Sequence, residues 1–206
     1  MCGRFYVPAD DMPEVMEALF RQAESAAPEP LPRGEITPGM RVASLCLSRG
    51  SRRAKAFPMT WGYPMQGKLL INARSETAAE RPAFRESFRS RRCLIPAAAW
   101  FEWDHRNADH TKYRLRPESL PWFFLAGLYR LGDHGAECAV LTREAEGAPA
   151  AIHGRMPVTF APEDAALWLN PDADPAALLA KPAIPALCSA EPNQSAQLSL
   201  WQAQEG

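Results

Sequence analysis

The stretch RCLIPAAAWFEWD (residues 92–104) predicts the centre of the fold, because it is largely apolar and bounded by charged residues. We interpret it as one buried strand. Shorter apolar runs, separated by Gly, Pro, Asp or Asn turns, predict further strands on both sides. These runs are RVASLCLS (41–48), AKAFPMTWGY (54–63), LLINAR (69–74), KYRLRP (112–117), FFLAGLYRL (123–131) and ECAVLTREA (137–145).

Four segments have helical spacing of apolar residues, and the first of them starts with an Asp cap. They are ADDMPEVMEALFRQA (9–23), TAAERPAFRESFRSR (77–91), APEDAALWLN (161–170) and ADPAALLA (173–180). No repeat or linker divides the sequence. We therefore expect a single α+β domain over residues 1–206, with a mostly antiparallel, curved or barrel-like sheet flanked by short helices. The polar stretch from about residue 187 is expected to be a loosely attached tail.

The composition is that of an ordinary globular protein, with 206 residues, 47% of them hydrophobic and 23% charged. Its apolar stretches are far shorter than the roughly 20 residues that a membrane-spanning helix needs. The five cysteines contain no C-x-x-C pair, which argues against a disulfide framework and a cysteine zinc site. We expect a reduced, cytoplasmic protein, associated with the nucleoid if it is bacterial, with no metal and no organic cofactor.

Charge is strongly segregated along the chain although the net charge is only −1. Residues 41–116 contain 16 Lys and Arg against 6 Asp and Glu, whereas the chain from residue 121 contains 4 basic and 10 acidic residues. A basic face would suit phosphate contacts. The alternative is a solvated surface on which the charges mix once the chain folds.

Cys2 follows the initiator methionine directly. Removal of Met1 would leave a residue with an α-amine whose pKa is about 7.7 to 8 and a thiol whose pKa is about 8.5 in model peptides. Against an aldehyde, the amine forms a Schiff base and the thiol closes onto the same carbon, which gives a five-membered thiazolidine. The alternative is a small buried residue in an N-terminal strand.

Three other stretches carry polar groups next to apolar runs. INARSET (71–77) places Asn72, Arg74 and Glu76 at alternating positions at a strand end. Glu102 lies between two aromatic residues, where desolvation would raise its pKa and suit it to proton transfer. AIHGRMPVTF (151–160) offers a histidine and an arginine beside a glycine. Each polar group taken alone could also be a satisfied core residue.

Six motifs occur in a fixed order along roughly residues 1–160: MCGRF, WGY, INARSET, RRCLIPAAAWFEW, AGLY and IHGRMPV. Together they resemble the SOS response-associated peptidase (SRAP) family, whose members shield abasic sites in single-stranded DNA. The resemblance implies that the partner is single-stranded DNA containing abasic sites. We expect a monomer.

The resemblance also implies roles for individual residues. Cys2 would be the nucleophile, Asn72 would hold the N-terminal amine or the sugar, Glu102 would shuttle protons and help release Met1, and His153 would assist ring opening and reversal of the crosslink. The implied DNA-binding residues are Arg4, Pro38, Arg74, Thr142 and Arg155, and further arginines at 81, 85, 89, 91 and 92 could line a DNA channel. The stretch at 62–69 lacks the tryptophans usual in the family, which predicts that base stacking or the handling of a neighbouring duplex is weaker or rerouted.

Three rival functions fit parts of the sequence. An N-terminal-nucleophile amidohydrolase or glutamine amidotransferase would also begin Met-Cys-Gly and use the Cys2 thiol. A non-covalent single-stranded DNA-binding module would use only the basic segment. A protease acting on other proteins is suggested by the family name, although the peptidase step can be confined to the chain's own Met1.

Overall fold

The structure is a computed structural model that describes residues 2–48, 53–106, 109–133 and 135–192. Fifteen strands and four α-helices are found in these ranges, so strands dominate as the sequence predicts. None of the helices in the described part of the chain is long and apolar enough to cross a membrane.

Five strands close into a barrel. The ring runs β3, β4, β12, β11, β8 and back to β3, and every pairing is antiparallel except that of β12 with β4. The strands are β3 (Arg41–Leu47), β4 (Ala54–Trp61), β8 (Arg92–Ala97), β11 (Phe123–Gly132) and β12 (Gly135–Glu144). Three short strands extend the barrel wall: β7 (Asn72–Arg74) and β13 (Arg155–Pro157) pair with β12, and β14 (Thr159–Phe160) pairs with β11. The predicted barrel-like sheet is confirmed.

A second, five-stranded sheet lies against the barrel, with the strands in the order β15, β10, β9, β1, β2. These strands are β1 (Phe5–Val7), β2 (Gly34–Ile36), β9 (Ala99–Trp103), β10 (Lys112–Pro117) and β15 (Ala186–Ala190). Apolar side chains fill the core, and the largest fully buried ones are Trp61, Trp100 and Trp168. Phe5 of β1 packs on Trp61 of the barrel, with 5.1 Å between the ring centroids.

The central stretch 92–104 is two strands and not one. The chain leaves the barrel at Ala98 and enters the second sheet, where the Ala98 amide donates to the carbonyl oxygen of Tyr6 over 2.9 Å. Both halves are buried and apolar, so the pattern of residue types gives no sign of the crossing. The prediction of a single strand is therefore wrong at this position.

Two other predicted strands are also divided. The run 54–63 breaks at Gly62, whose φ of +121° lies in the region that favours glycine, and its amide donates to the carbonyl oxygen of Cys138. The run 69–74 breaks at Ile71. Between these breaks β5 (Tyr63–Met65) and β6 (Lys68–Leu70) form a hairpin, which occupies most of the Trp-free stretch 62–69.

The helices are shorter than predicted. They are α1 (Glu14–Glu24), α2 (Arg85–Ser90), α3 (Pro162–Leu169) and α4 (Pro175–Leu179), with a 3-10 helix at Ala148–Ala151. The predicted helix 77–91 is a series of turns as far as residue 84, because Pro82 lacks the amide that a helix interior requires. The predicted Asp cap of the first helix is wrong, since Pro13 occupies the cap position and no side chain caps this end.

The predicted loose tail is wrong at its beginning. Residues 186–190 form β15, which pairs with β10 along its whole length. The remainder of that prediction, residues 193–206, lies outside the described residues.

Candidate functional site

Cys2 lies at the entry to β1, between the second sheet and the barrel wall. Its side chain is fully buried. The carbonyl oxygen of Cys2 accepts a hydrogen bond of 2.8 Å from Nδ2 of Asn72, and Sγ lies 3.9 Å from the carbonyl oxygen of Arg4. The first residues of the chain are thus attached to the end of β7, 70 residues away in the sequence.

Asn72 is placed by the parallel pairing of β7 with β12, in which it lies opposite Val140. Its amide nitrogen is used by Cys2, whereas its buried Oδ1 has no hydrogen-bond partner among the described residues. A buried acceptor without a partner is costly. This oxygen is therefore available to a hydroxyl or amine of a bound molecule.

Glu102 is the buried carboxyl of the site, with 3% of the residue exposed. It lies on β9 next to β1, and burial raises its pKa to about 7. Burial also raises the pKa of the Cys2 thiol, and the negative charge of Glu102 raises it further, so the two groups lie within electrostatic reach of each other. The expected effect of desolvation on Glu102 agrees with the structure.

His153 lies in the turn that precedes β13. Its Nδ1 lies 2.9 Å from the amide nitrogen of Arg155 and 3.2 Å from the carbonyl oxygen of the same residue. Because the amide can only donate and is the nearer group, we assign Nδ1 as the acceptor and the proton of the neutral ring to Nε2. Burial lowers the pKa of His153, and the positive charge of His105 contributes in the same direction. The ring is therefore mainly neutral near pH 7 and can donate a hydrogen bond from Nε2.

Arg155 and Thr142 make their contacts with other residues of the protein. Arg155 makes a two-pronged ion pair with Glu76, at 2.7 and 2.9 Å, and donates to the carbonyl oxygen of Thr142 at 2.6 Å. The hydrogen bonds from Arg155 lower the pKa of Glu76 to about 2. Thr142 is itself fully buried. These contacts fasten β13, which follows His153, to β12 and to the end of β7.

Arg4 lies over the ring of Trp103 at 5.4 Å from its centroid and forms an ion pair of 2.7 Å with Glu35. Lys112 binds the other oxygen of Glu35. Pro38 lies on the turn between β2 and β3, next to Gly39, whose amide donates to the carbonyl oxygen of Trp61. The sequence-based interpretation included Arg4 and Pro38 but missed Glu35 and Lys112.

A surface cavity of about 290 Å³ opens beside Asn72, and the exposed side chains of Arg74 and Arg81 line it. Two arginines assigned to the same channel are engaged elsewhere. Arg91 pairs with Glu86 at 2.9 Å, and Arg92 is buried, with Nε donating to the carbonyl oxygen of Trp168. The prediction that Arg92 lines a channel is therefore wrong.

The structure thus brings Cys2, Asn72 and Glu102 together, and it links Thr142, Arg155 and His153 to the same end of the barrel through β7, β12 and β13. Alternation in INARSET indicated Asn72, and the aromatic neighbours of Glu102 indicated a buried carboxyl. No local signal marks Glu35, because its role depends on two residues from distant strands.

Solved structures share this architecture. The fold is similar to that of a protein from Bacteroides thetaiotaomicron, with a TM-score of 0.70 and 20% identity over 93% of both chains. A phage-related protein from Bordetella bronchiseptica gives a TM-score of 0.70 and 25% identity, over 93% of this chain and 95% of that one.

The sequence profile of the SOS response associated peptidase (SRAP) family matches residues 1–196, and the chain belongs to this family. It is 32% identical to the abasic site processing protein YoaM of Bacillus subtilis over 191 residues, which cover 83% of this chain and 80% of the relative. It is 29% identical to the abasic site processing protein YedK of Escherichia coli over 181 residues, covering 82% and 80%.

Proposed function

We propose that this protein processes abasic sites in single-stranded DNA by bonding covalently to them through Cys2. The observation that carries the proposal is the contact of Cys2 with Asn72 beside the buried carboxyl of Glu102. The names of the relatives, abasic site processing proteins, support the same substrate.

The chemistry begins with the amine of Cys2 after Met1 is removed. The amine adds to the aldehyde carbon of the ring-opened abasic sugar, and loss of one water gives an imine. The thiol then adds across the imine bond: sulfur bonds to the carbon and the proton goes to nitrogen. The product is a thiazolidine, in which one residue holds the sugar carbon through both nitrogen and sulfur.

Glu102 and His153 supply the proton transfers. A carboxyl with a pKa of about 7 exists in both protonation states near neutral pH, so Glu102 can donate a proton to the departing water and accept one from the thiol. Opening of the closed hemiacetal moves a proton from the C1 hydroxyl to the ring oxygen, and the Nε2–H of His153 can assist this step by a hydrogen bond to the ring oxygen. The buried Oδ1 of Asn72 would accept a hydrogen bond from the amine or a sugar hydroxyl.

Removal of Met1 would be a reaction of the same site. Cys2 is buried in the intact chain, and its nitrogen belongs to a peptide bond. Hydrolysis of that bond, with water activated by Glu102, would release methionine and leave a free amine. A peptidase step of this kind acts on the chain itself and needs no second protein.

The DNA would reach the site along exposed cations. Arg74 and Arg81 lie at the cavity beside Asn72, where they can bind the phosphates that flank the lesion. Single-stranded DNA suits this site because an exposed abasic nucleotide needs no extrusion from a duplex.

The test is to incubate the Met1-processed protein with a single-stranded oligonucleotide that contains one abasic site. We expect a band of reduced mobility on a denaturing gel that withstands heating and requires no borohydride. The matched control is Cys188→Ala, which removes a partly exposed thiol on β15 and should leave the band unchanged.

The Cys2→Ala variant should lose the band. A band that persists in this variant would refute the proposal, as would the absence of a band with active, processed wild-type protein. Hydrolysis of glutamine would instead support the amidohydrolase, and retention of DNA only under native conditions would support the non-covalent binding module.

A further inference from the structure

A second cavity, of about 330 Å³, lies on the outer face of the second sheet. It lies at the end of the sheet where the candidate site is found, because Arg4 follows Cys2 by two residues and Trp103 follows Glu102 on β9, with its side chain on the opposite face of that strand. Its volume is within the range of small-ligand sites, which begins at about 300 Å³. We call it the Glu35 pocket. Its lining side chains include Arg4, Glu35, Trp103, Asp109, Lys112 and Glu191.

The charges of the Glu35 pocket do not suit a phosphate. Three carboxylates, Glu35, Asp109 and Glu191, line it against two permanent cations. Both cations already face Glu35, since Arg4 binds one carboxylate oxygen and Lys112 the other. A cavity with an excess of carboxylates disfavours anions and offers acceptors to a ligand that donates hydrogen bonds. His110 also lines the pocket.

Glu35 is held in a fixed orientation and in its ionised form. Burial opposes ionisation, but the hydrogen bonds from Lys112 and Arg4 outweigh it and lower the pKa of Glu35. Each carboxylate oxygen has two lone pairs, so each can accept one further hydrogen bond. About a third of the side chain is exposed, at 35%, and this part is accessible from the pocket.

We propose that the Glu35 pocket binds the base next to the abasic nucleotide and that Glu35 selects guanine. This inference rests on the proposed function, since it assigns the neighbouring base of the same DNA strand. The half-buried ring of Trp103 lines the pocket with the guanidinium of Arg4 5.4 Å from its centroid, and a base can stack on the surface that this ring and the planar guanidinium form together. Stacking holds any base, whereas hydrogen bonds to the Watson–Crick edge distinguish one base from another.

Guanine is the base that matches a carboxylate. Its N1–H and N2–H groups are adjacent donors that can meet the two oxygens of Glu35 together. Adenine and cytosine each offer one amino group beside a ring nitrogen that is an acceptor, and this acceptor would face the second oxygen. Thymine offers one N–H between two carbonyl oxygens. The three other bases therefore place at least one acceptor against a negative charge.

The test measures binding without the covalent reaction. Oligonucleotides carry a tetrahydrofuran analogue of the abasic site, and the base on its 5′ side, and separately on its 3′ side, is G, A, C, T or hypoxanthine. We expect guanine at one of the two positions to bind about tenfold more tightly than the others by fluorescence anisotropy. Hypoxanthine, which lacks the N2 amino group, should lose most of this gain.

The variant Glu35→Gln should lose the preference for guanine. Its affinity for the other bases should be equal or higher, because a negative charge near the phosphates has been removed. The matched control is Glu29→Gln, which removes an exposed carboxylate from the loop before β2 and should keep the preference.

Equal affinities for all bases at both positions would overturn the inference, and so would a guanine preference that persists in Glu35→Gln. The crosslinking assay on true abasic DNA reports separately on the proposed function. A heat-stable band without base preference would leave that function standing and overturn only the selection by Glu35.

Discussion

Asn72 donates its side-chain amide to the carbonyl oxygen of Cys2 over 2.8 Å. This bond connects a strand of the barrel wall to the residue that carries the candidate nucleophile. It fixes the Cα of Cys2, from which both the amine and the thiol project, and it leaves Oδ1 of Asn72 for the bound sugar. Precise placement of the reacting groups is worth several kcal/mol in enzymes.

Replacing Asn72 with Ala should slow crosslinking about tenfold, which corresponds to the loss of about 1.4 kcal/mol from one hydrogen bond to the reacting residue. Asn72→Asp, which retains the size but loses the donor, should be slowed at least as much. Single-turnover time courses on denaturing gels measure the rate. Wild-type rates in both variants would show that this bond plays no part in the reaction.

Crosslinking should depend on the protonation of Glu102. Its pKa of about 7 means that the carboxyl is protonated, and able to donate, below this pH and is ionised above it. The rate should rise with pH as the Cys2 amine loses its proton and fall as Glu102 ionises, which gives a bell-shaped profile. In Glu102→Gln the alkaline limb should disappear and the maximal rate should fall about 100-fold. An unchanged alkaline limb would assign it to another group.

The same carboxyl should make stability depend on pH. Because folding raises the pKa of Glu102, the folded protein holds its proton more tightly than the unfolded chain does, and this contribution is lost as pH rises from about 4.5 to about 7. The free energy of unfolding of the wild type should fall by about 3 kcal/mol relative to Glu102→Gln across this window. Urea titrations at several pH values measure the difference. Parallel pH curves for the two proteins would contradict the burial of an ionisable group at this position.

Arg74 and Arg81 should contribute to DNA affinity through charge alone. Each change to Ala should weaken binding of single-stranded DNA and reduce the slope of log affinity against log salt by about 0.7, the value for one phosphate contact. Anisotropy titrations at four salt concentrations measure this slope. Lys55→Ala, an exposed cation on β4, serves as the control. If both arginine variants gave the same slope as the wild type and the control, the phosphates would be bound elsewhere.

Arg92 should matter for stability and not for DNA binding. It is buried, and its Nε and Nη2 donate to the carbonyl oxygens of Trp168 and Asn170, at 2.7 and 2.5 Å, at the end of α3. Arg92→Leu would remove the Arg92 donor from the carbonyl oxygen of Trp168 and leave that of Asn170 with only the amide of Ala173, and should lower the free energy of unfolding by about 3 kcal/mol. Urea unfolding measures this loss. DNA affinity of the folded fraction should equal that of the wild type. A large loss of affinity would show that Arg92 takes part in DNA binding.

Local patterns predicted most of the longer strands, and they indicated candidate site residues that each lie on one element. Alternating polar residues pointed to Asn72, whose role stays a prediction, and the aromatic neighbours of Glu102 correctly indicated a desolvated carboxyl. The short strands β1, β2, β13 and β14 were missed, since two or three residues give no periodicity. The helix predicted at 77–91 followed apolar spacing, but Pro82 removed an amide that the pattern does not register.

Long-range relationships account for the other differences. The crossing at Ala98 depends on which strands compete to pair with an apolar segment, and both sheets accept the same residue types. The charge of a residue likewise does not indicate its partner. Arg74 and Arg92 look alike in the sequence, yet one is exposed beside the cavity and the other is buried against α3.

Only one residue, Ala98, separates the end of β8 in the barrel from the start of β9 in the second sheet. No flexible connection separates β8, a strand of the barrel wall, from Glu102 only a few residues beyond. The reactive face cannot melt as an independent unit, and calorimetry should show one cooperative transition in which activity and tertiary structure are lost together. This junction is also a poor place for an insertion or a circular permutation, because any added length there would shift the carboxyl relative to Cys2.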